Sequence, residues 1–167
     1  MLNDEFADLQ PGQPQTDEEK IDTLLDLLSS GFENDPDLDA VRDAALHHLL
    51  RFPRLADRTT AIMLGILADE DESDLVLNRK VAAIDVLAHM GQQAKPAFAA
   101  LIDLLPLVES EPDFERWLAL RAARAVWKVS GSSSQAMGIA EKLAEHEEAW
   151  LRIHAAELLG EIERGDE

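Results

Sequence analysis

The side chains able to ligate a cation or move a proton stand at only a few places along the 167 residues. Asp69-Glu70-Asp71-Glu72-Ser73-Asp74 sets acids at loop positions one, three and six, the beginning of an oxygen cage for calcium. A helix–loop–helix calcium site needs Gly at position six and a bidentate Glu at twelve. Asp74 and Lys80 stand there instead, and Asp35-Pro36-Asp37-Leu38-Asp39 fails likewise with Ala40 and Leu46. Acids at such places suit the positive amino-terminal ends of helices. His47 and His48 are adjacent, so on a helix they point about 100° apart and chelate poorly together. His154 and Glu157 stand at i,i+3, the spacing of a di-iron half-site, but no second such pair faces them.

Nucleophilic chemistry has less support still. The chain holds no Cys, which removes thiolate nucleophiles, thiolate metal sites and disulfides. There is no Gly-x-Ser-x-Gly, and Ser132-Ser133-Ser134 reads as a helix-capping link. Gly131-Ser132-Ser133-Ser134 lacks the Lys that completes a phosphate loop. The expectation is a protein that is not an enzyme and takes no cofactor or metal.

Charge narrows the partners. Asp and Glu number 34 against 15 Lys and Arg, a formal charge of −19. Phosphate backbones and anionic bilayers are held through many Lys and Arg contacts, so neither nucleic acid nor membrane is an expected partner. The excess is uneven: residues 1–40 carry 12 acids and one base, Lys20, a net −11. Within them Pro11-Gly12-Gln13-Pro14 opposes regular structure, and residues 1–15 read as a flexible acidic arm. Residues 16–167 are then a single domain, long enough to bury a sizeable core. Met1-Leu2-Asn3-Asp4-Glu5-Phe6 lacks the cationic start and apolar run of a secretory signal. No stretch approaches the roughly 18 apolar residues of a membrane span, so the expected location is cytoplasmic.

The elements that would position these side chains are all helical. Thr16-Asp17-Glu18-Glu19 forms a capping box, after which Ile21, Leu24, Leu25 and Leu28 recur at three and four. Asp35-Pro36 restarts the chain as an acidic cap followed by Pro at the first helical position, and Pro53 ends the helix so begun. The pattern predicts eight helices, at about 17–29, 36–52, 55–68, 75–90, 94–109, 113–130, 133–145 and 148–163. Loops of two to eight residues make sequential helices antiparallel neighbours. Strand signals are absent, and the fold class is all-α.

The even-numbered helices share a small-large-large triad: Ala45/Leu49/Phe52, Ala83/Leu87/Met90, Ala122/Val126/Val129 and Ala155/Leu159/Ile162. A small residue at one turn lets another helix approach closely while the larger ones fill the space beyond. The odd helices carry their own stripe, with Leu24, Leu27 and Leu28, then Ile62, Ile66 and Leu67, then Ala97, Leu101, Leu104 and Leu105, then Ile139 and Leu143. The chain therefore reads as four helix pairs of about 33–39 residues, above the three or so that a solenoid needs, with a compact helical bundle as the alternative for the same pattern.

Ala94-Lys95-Pro96-Ala97-Phe98-Ala99-Ala100-Leu101-Ile102-Asp103-Leu104-Leu105, with its early proline, is similar to the first helix of a HEAT repeat. Ala83-Ile84-Asp85-Val86-Leu87-Ala88-His89-Met90-Gly91 and Ala155-Ala156-Glu157-Leu158-Leu159-Gly160-Glu161-Ile162 are similar to its second. Over residues 16–164 the chain resembles HEAT-repeat proteins of the armadillo-type and phycobilisome-lyase HEAT-like kind. The resemblance implies a right-handed α-α superhelix with the second helices on its concave side. Two enzymatic branches are disfavoured here. HEAT-like deoxyhypusine hydroxylases bind iron through repeated His-Glu dipeptides, whereas this chain has only His146-Glu147, between helices. HEAT-like DNA glycosylases track DNA with basic concave faces, and this chain is acidic.

In such a superhelix the residues two and six beyond each key alanine point away from the first helices. They are His47/Arg51, Asp85/His89, Arg124/Lys128 and Glu157/Glu161, a stripe of mixed sign. An ordinary solvated helix face and a docking groove both fit this stripe. Arg51, Arg54, Arg58, Arg79 and Lys80 form a local basic region, expected to pair with acids of neighbouring loops as the family's Asp–Arg ladders do. Trp127 is expected to be packed, and Trp117 and Trp150, near helix starts, to be part-exposed. The functional expectation is a protein-binding scaffold that takes another protein on its concave face, a partner with a basic surface being one that its charge suits. The alternative is an acidic inhibitor, immunity-like or a DNA mimic, that occupies a target's basic groove through its negative field.

Overall fold

Asp69, Asp71 and Ser73 begin the clearest helix by local hydrogen bonding. The Asp69 carboxylate accepts from the Asp71 amide at 3.0 Å, and the Asp71 carboxylate accepts from the Ser73 amide at 2.9 Å. The Ser73 hydroxyl then accepts from the Val76 amide and caps the helix. The acidic run is thus a pair of side-chain turns feeding a serine cap. The cap is Ser73 rather than one of the acids.

The computed structural model describes residue 19, residues 56–71 and residues 73–165. Every regular element among them is helical. In order they are α1 (Ala56–Leu67), α2 (Asp74–Met90), a 3-10 turn (Gly91–Ala97), α3 (Phe98–Ile102), a second 3-10 turn (Leu105–Glu109), α4 (Asp113–Ser130), α5 (Ser134–Leu143) and α6 (Ala149–Gly165). Glu19 is helical and exposed. The arm at 1–15, the rest of the first helix pair, the Asp35–Asp39 run and Arg51 and Arg54 lie outside the described residues. No helix among those described is long and apolar enough to cross a membrane.

Helix ends follow their residues. The α4 helix starts after Pro112, with Asp113 accepting a 2.8 Å bond from Arg116 one turn on. It stops at Gly131, whose φ of +81° is left-handed and whose amide closes on the Trp127 carbonyl at 2.7 Å. A side chain there would be strained, which is why glycine holds the position. Gly91 also ends α2 at a positive φ of +57°, but with ψ −130°, its amide closing on the Leu87 and Ala88 carbonyls.

Two expectations are corrected. The helix predicted over 94–109 is broken into a 3-10 turn, the five-residue α3 and a second 3-10 turn. Pro96 and Pro106 each lack an amide hydrogen, and in an α-helix the ring of Pro106 would collide with the carbonyl of Ile102. The Ser132-Ser133-Ser134 link does not cap by its side chain: Ser133 stands at the cap without such a bond, while the hydroxyls of Ser132 and Ser134 bond each other at 3.2 Å.

The second helices pack on one another in chain order, α2 on α4 and, less extensively, α4 on α6. Each also packs on its own first helix: α1 on α2, the 91–109 segment on α4, and α5 on α6. Two apolar clusters result. One joins α1, α2, the 91–102 stretch and the side of α4 bearing Ala125, Val126 and Val129. The other joins α4, α5 and α6 through Ala119, Ala123, Ala136, Ala140 and Ala155, all fully buried, with Leu158 and Ile162. The repeated triads account for much of this core. Ala83, Leu87, Met90, Ala122, Val126, Val129, Ala155 and Ile162 are all buried, and Leu159 is half-buried.

Candidate functional site

Packing α2, α4 and α6 side by side brings six of the eight stripe residues onto neighbouring helices: Asp85 and His89, Arg124 and Lys128, Glu157 and Glu161. His47 and Arg51 lie outside the described residues. The helices are cross-linked by ion pairs. Arg121 on α4 donates from Nε and Nη2 to one carboxylate oxygen of Asp85 on α2, at 3.0 and 2.5 Å. Arg124 holds Glu161 on α6 with Nε at 2.9 Å from Oε2 and Nη2 at 3.0 Å from Oε1. Lys128, one turn on, adds its ammonium at 3.3 Å from the same carboxylate. Its Nζ also lies 3.8 Å from the centre of the buried Trp127 ring, a cation–π contact. Arg124 and Lys128 therefore form part of a ladder between helices.

Glu161 reports the balance in that ladder. Burial pushes its pKa up, but the hydrogen bonds and charges of Arg124 and then Lys128 outweigh it and hold the carboxyl below its ordinary 4.5. A carboxyl whose folded pKa is depressed adds stability above its unfolded pKa, and loses it as pH falls through the folded value. Acid titration of the wild type is thus expected to show a loss of stability below about pH 4.5 that Glu161→Gln flattens, measured by urea unfolding at stepped pH. Because the pair is partly solvated, a double-mutant cycle of Arg124→Ala and Glu161→Ala is expected to return a coupling of about 1 kcal/mol. A coupling near zero would reduce the bidentate contact to a surface encounter.

Other polar groups are fixed locally. His89 is exposed, and its Nδ1 donates to the Asp85 carbonyl at 2.8 Å. His154 Nδ1 lies 3.5 Å from Glu157, whose side chain is 69% exposed. Among the described residues no group of three His, Asp or Glu side chains is placed to hold a metal ion. His146-Glu147 falls in the α5–α6 loop. There the His146 Nδ1 accepts from the Glu148 amide at 3.0 Å, and its Nε2 lies 3.8 Å from Asp113.

An aromatic cluster sits beside the ladder. Trp117 on α4 meets Phe114 edge-on at 5.6 Å between ring centres, and Trp150 on α6 edge-on at 6.3 Å. The His154 ring lies 6.2 Å from each tryptophan. Trp117 is half-buried, while Trp150 and Ile153 are exposed large apolar side chains. Between α4 and α6 lies a small cleft of about 70 Å³, with Arg121 and Arg124 on one wall and His154, Glu157 and Glu161 on the other. This is far below the 300–1,000 Å³ or so of a small-molecule pocket, and suits water or the tip of one side chain.

Two features escaped the residue pattern, although a signal for one was present. Trp117 and Trp150 are 33 residues apart, the same spacing as Ala122 and Ala155, so they occupy equivalent turns of successive helix pairs. Equivalent turns of stacked pairs are neighbours. Arg121 carried no such mark, because the equivalent positions of the other pairs are Ala44, Ala82 and His154, with no Arg or Lys among them. No family model, curated protein or solved structure matches the chain, so its site is defined by this geometry alone.

Proposed function

We propose that this chain is a non-enzymatic scaffold of the HEAT-like kind, a right-handed α-solenoid of about four helix pairs. In this reading it binds another protein along the face formed by its second helices. The observation that carries the reading is the row α2–α4–α6. Three helices at matching positions of successive pairs are cross-linked by Asp85–Arg121 and Arg124–Glu161. Such a ladder fixes the spacing of the helices, and a fixed surface spends less ordering entropy when a partner docks. On that face His89 and Glu157 stay exposed beside the ladder, with Trp150 at its α6 end.

The ladder dictates how the face is tested. Reversing Arg124 and Lys128 to Glu would set three acids together and disturb folding, so a photo-crosslinking residue is better placed at exposed positions outside the ladder. Installed at His89 or Glu157, it is expected to trap a protein partner in the source cells. At Phe98 or Glu141, exposed on α3 and α5, it is expected to trap none. Adducts from Phe98 and Glu141 alone would place the working surface on the first helices.

The net −11 of residues 1–40 favours a second reading, an acidic inhibitor of a cationic target. Capture of a basic nuclease that fades with salt and with removal of residues 1–15 would support it.

A further inference from the structure

The exposed apolar side chains of α6 share one stripe with an acid. Trp150, Ile153 and Glu157 stand at i, i+3 and i+7, over two turns, with Trp150 38% and Ile153 57% exposed. Two large apolar groups left open side by side and rimmed by charged residues give a partner an apolar contact with a polar border. The loop leading into α6 adds Glu145, Glu147 and Glu148, all exposed. That loop is tied down: Arg152 donates from Nη1 to the carbonyls of His146 and Glu147, each at 2.7 Å, and the Glu148 amide bonds the His146 ring. The local base is therefore occupied with backbone carbonyls while the carboxylates remain in water.

We propose that this face of α6 seats a basic amphipathic helical segment of a partner protein. Its apolar side chains would lie on Trp150 and Ile153, and its Lys or Arg heads on Glu147, Glu148 and Glu157. The inference rests on the reading of the second helices as a docking face, and names the chemistry of what docks there. Charge complementarity selects this occupant. A second copy would bring the same carboxylates against themselves, whereas a cationic segment neutralises them and is drawn in by a chain of net −19. A tryptophan ring beside carboxylates also offers a guanidinium a stacking surface and an anion together.

The probe is a labelled 16-residue peptide with Leu at i, i+3, i+4 and i+7 and Arg on the flanks, alongside a counterpart carrying Glu for Arg. Both are titrated against the full chain by fluorescence anisotropy. The Arg peptide is expected to bind and the Glu peptide not. Trp150→Ala is expected to weaken binding by about 30-fold, as removal of a central aromatic anchor does, while Trp150→Phe retains part of it. The triple change Glu147→Gln, Glu148→Gln and Glu157→Gln is expected to cost about tenfold at low salt and to flatten the salt dependence. The distant pair Glu70→Gln and Asp103→Asn, in the α1–α2 loop and just after α3, leaves binding unchanged. All these side chains are exposed, and unaltered circular dichroism separates lost binding from lost folding.

Absence of Arg-peptide binding, or equal weakening by the distant pair, overturns the proposal. So does a dimer in sedimentation equilibrium that Trp150→Ala dissolves, which would make a second copy the occupant. If crosslinks still form at His89 while the peptide fails, the docking face survives and only the basic partner is rejected.

Discussion

Replacing Leu87 with alanine is expected to remove about 2–5 kcal/mol of stability, the cost of cutting a fully buried leucine back to a methyl group. Leu87 stands one turn from Ala83 and Ile84, both also fully buried, in the cluster that joins α1, α2 and α4. The loss combines the transfer free energy of the deleted methyl and methylene groups with the void left among helices held at both ends. Urea unfolding should show a lower midpoint with an unchanged slope, and thermal unfolding a fall on the order of 10 °C. A cost under about 1 kcal/mol would mean that the site collapses freely and that α2 is not clamped between α1 and α4.

The opposite change, Ala155→Leu, is expected to cost about 1–3 kcal/mol by overpacking, and more if α6 is forced away from its neighbours. Ala155 lies in the second cluster with Ala119, Ala123, Ala136 and Ala140, all fully buried on α4 and α5. Where alanines meet from three helices, the backbones approach too closely for a rotamer change to make room. The added side chain must therefore move a helix. Displacing α6 would also pull Glu161 from Arg124. A coupled readout follows: in Ala155→Leu the effect of Glu161→Gln on acid stability should largely vanish. Ala156→Leu, one residue on and exposed, is the control and should fall within about 0.5 kcal/mol of wild type. Equal effects at the two positions would contradict the packing of α6.

How much of this was legible depends on the distance over which each feature is decided. The triads were legible because a helix repeats every 3.6 residues, so Ala83, Leu87 and Met90 reveal a buried stripe within three turns. The ends of α4 were legible for a similar reason: Pro112 and Gly131 act on their own backbone. The apolar stripe over 94–109 favours one continuous helix, but Pro96 and Pro106 lack the amides that would carry its hydrogen-bond ladder, so the segment breaks. The mixed-sign stripe on the second helices was legible as a set of positions, and its ion pairing was not. Whether Arg124 and Lys128 reach a partner or Glu161 depends on side-chain directions between residues 37 and 33 positions apart.

Sequence alone therefore determined that the chain is acidic, that its described elements are helical, and that the faces led by Ala83, Ala122 and Ala155 are buried. Each of these follows from composition or from a period of a few residues. Tertiary structure alone decided that Arg121 joins Asp85 and that Arg124 and Lys128 converge on Glu161, and it set the edge-on contact between Trp117 and Trp150, whose 33-residue spacing marked only equivalent turns. The physical reason is that ion pairs and ring contacts need specific approach distances between separate helices. Those distances are set by how the small residues let the helices close, and no single turn of sequence records them.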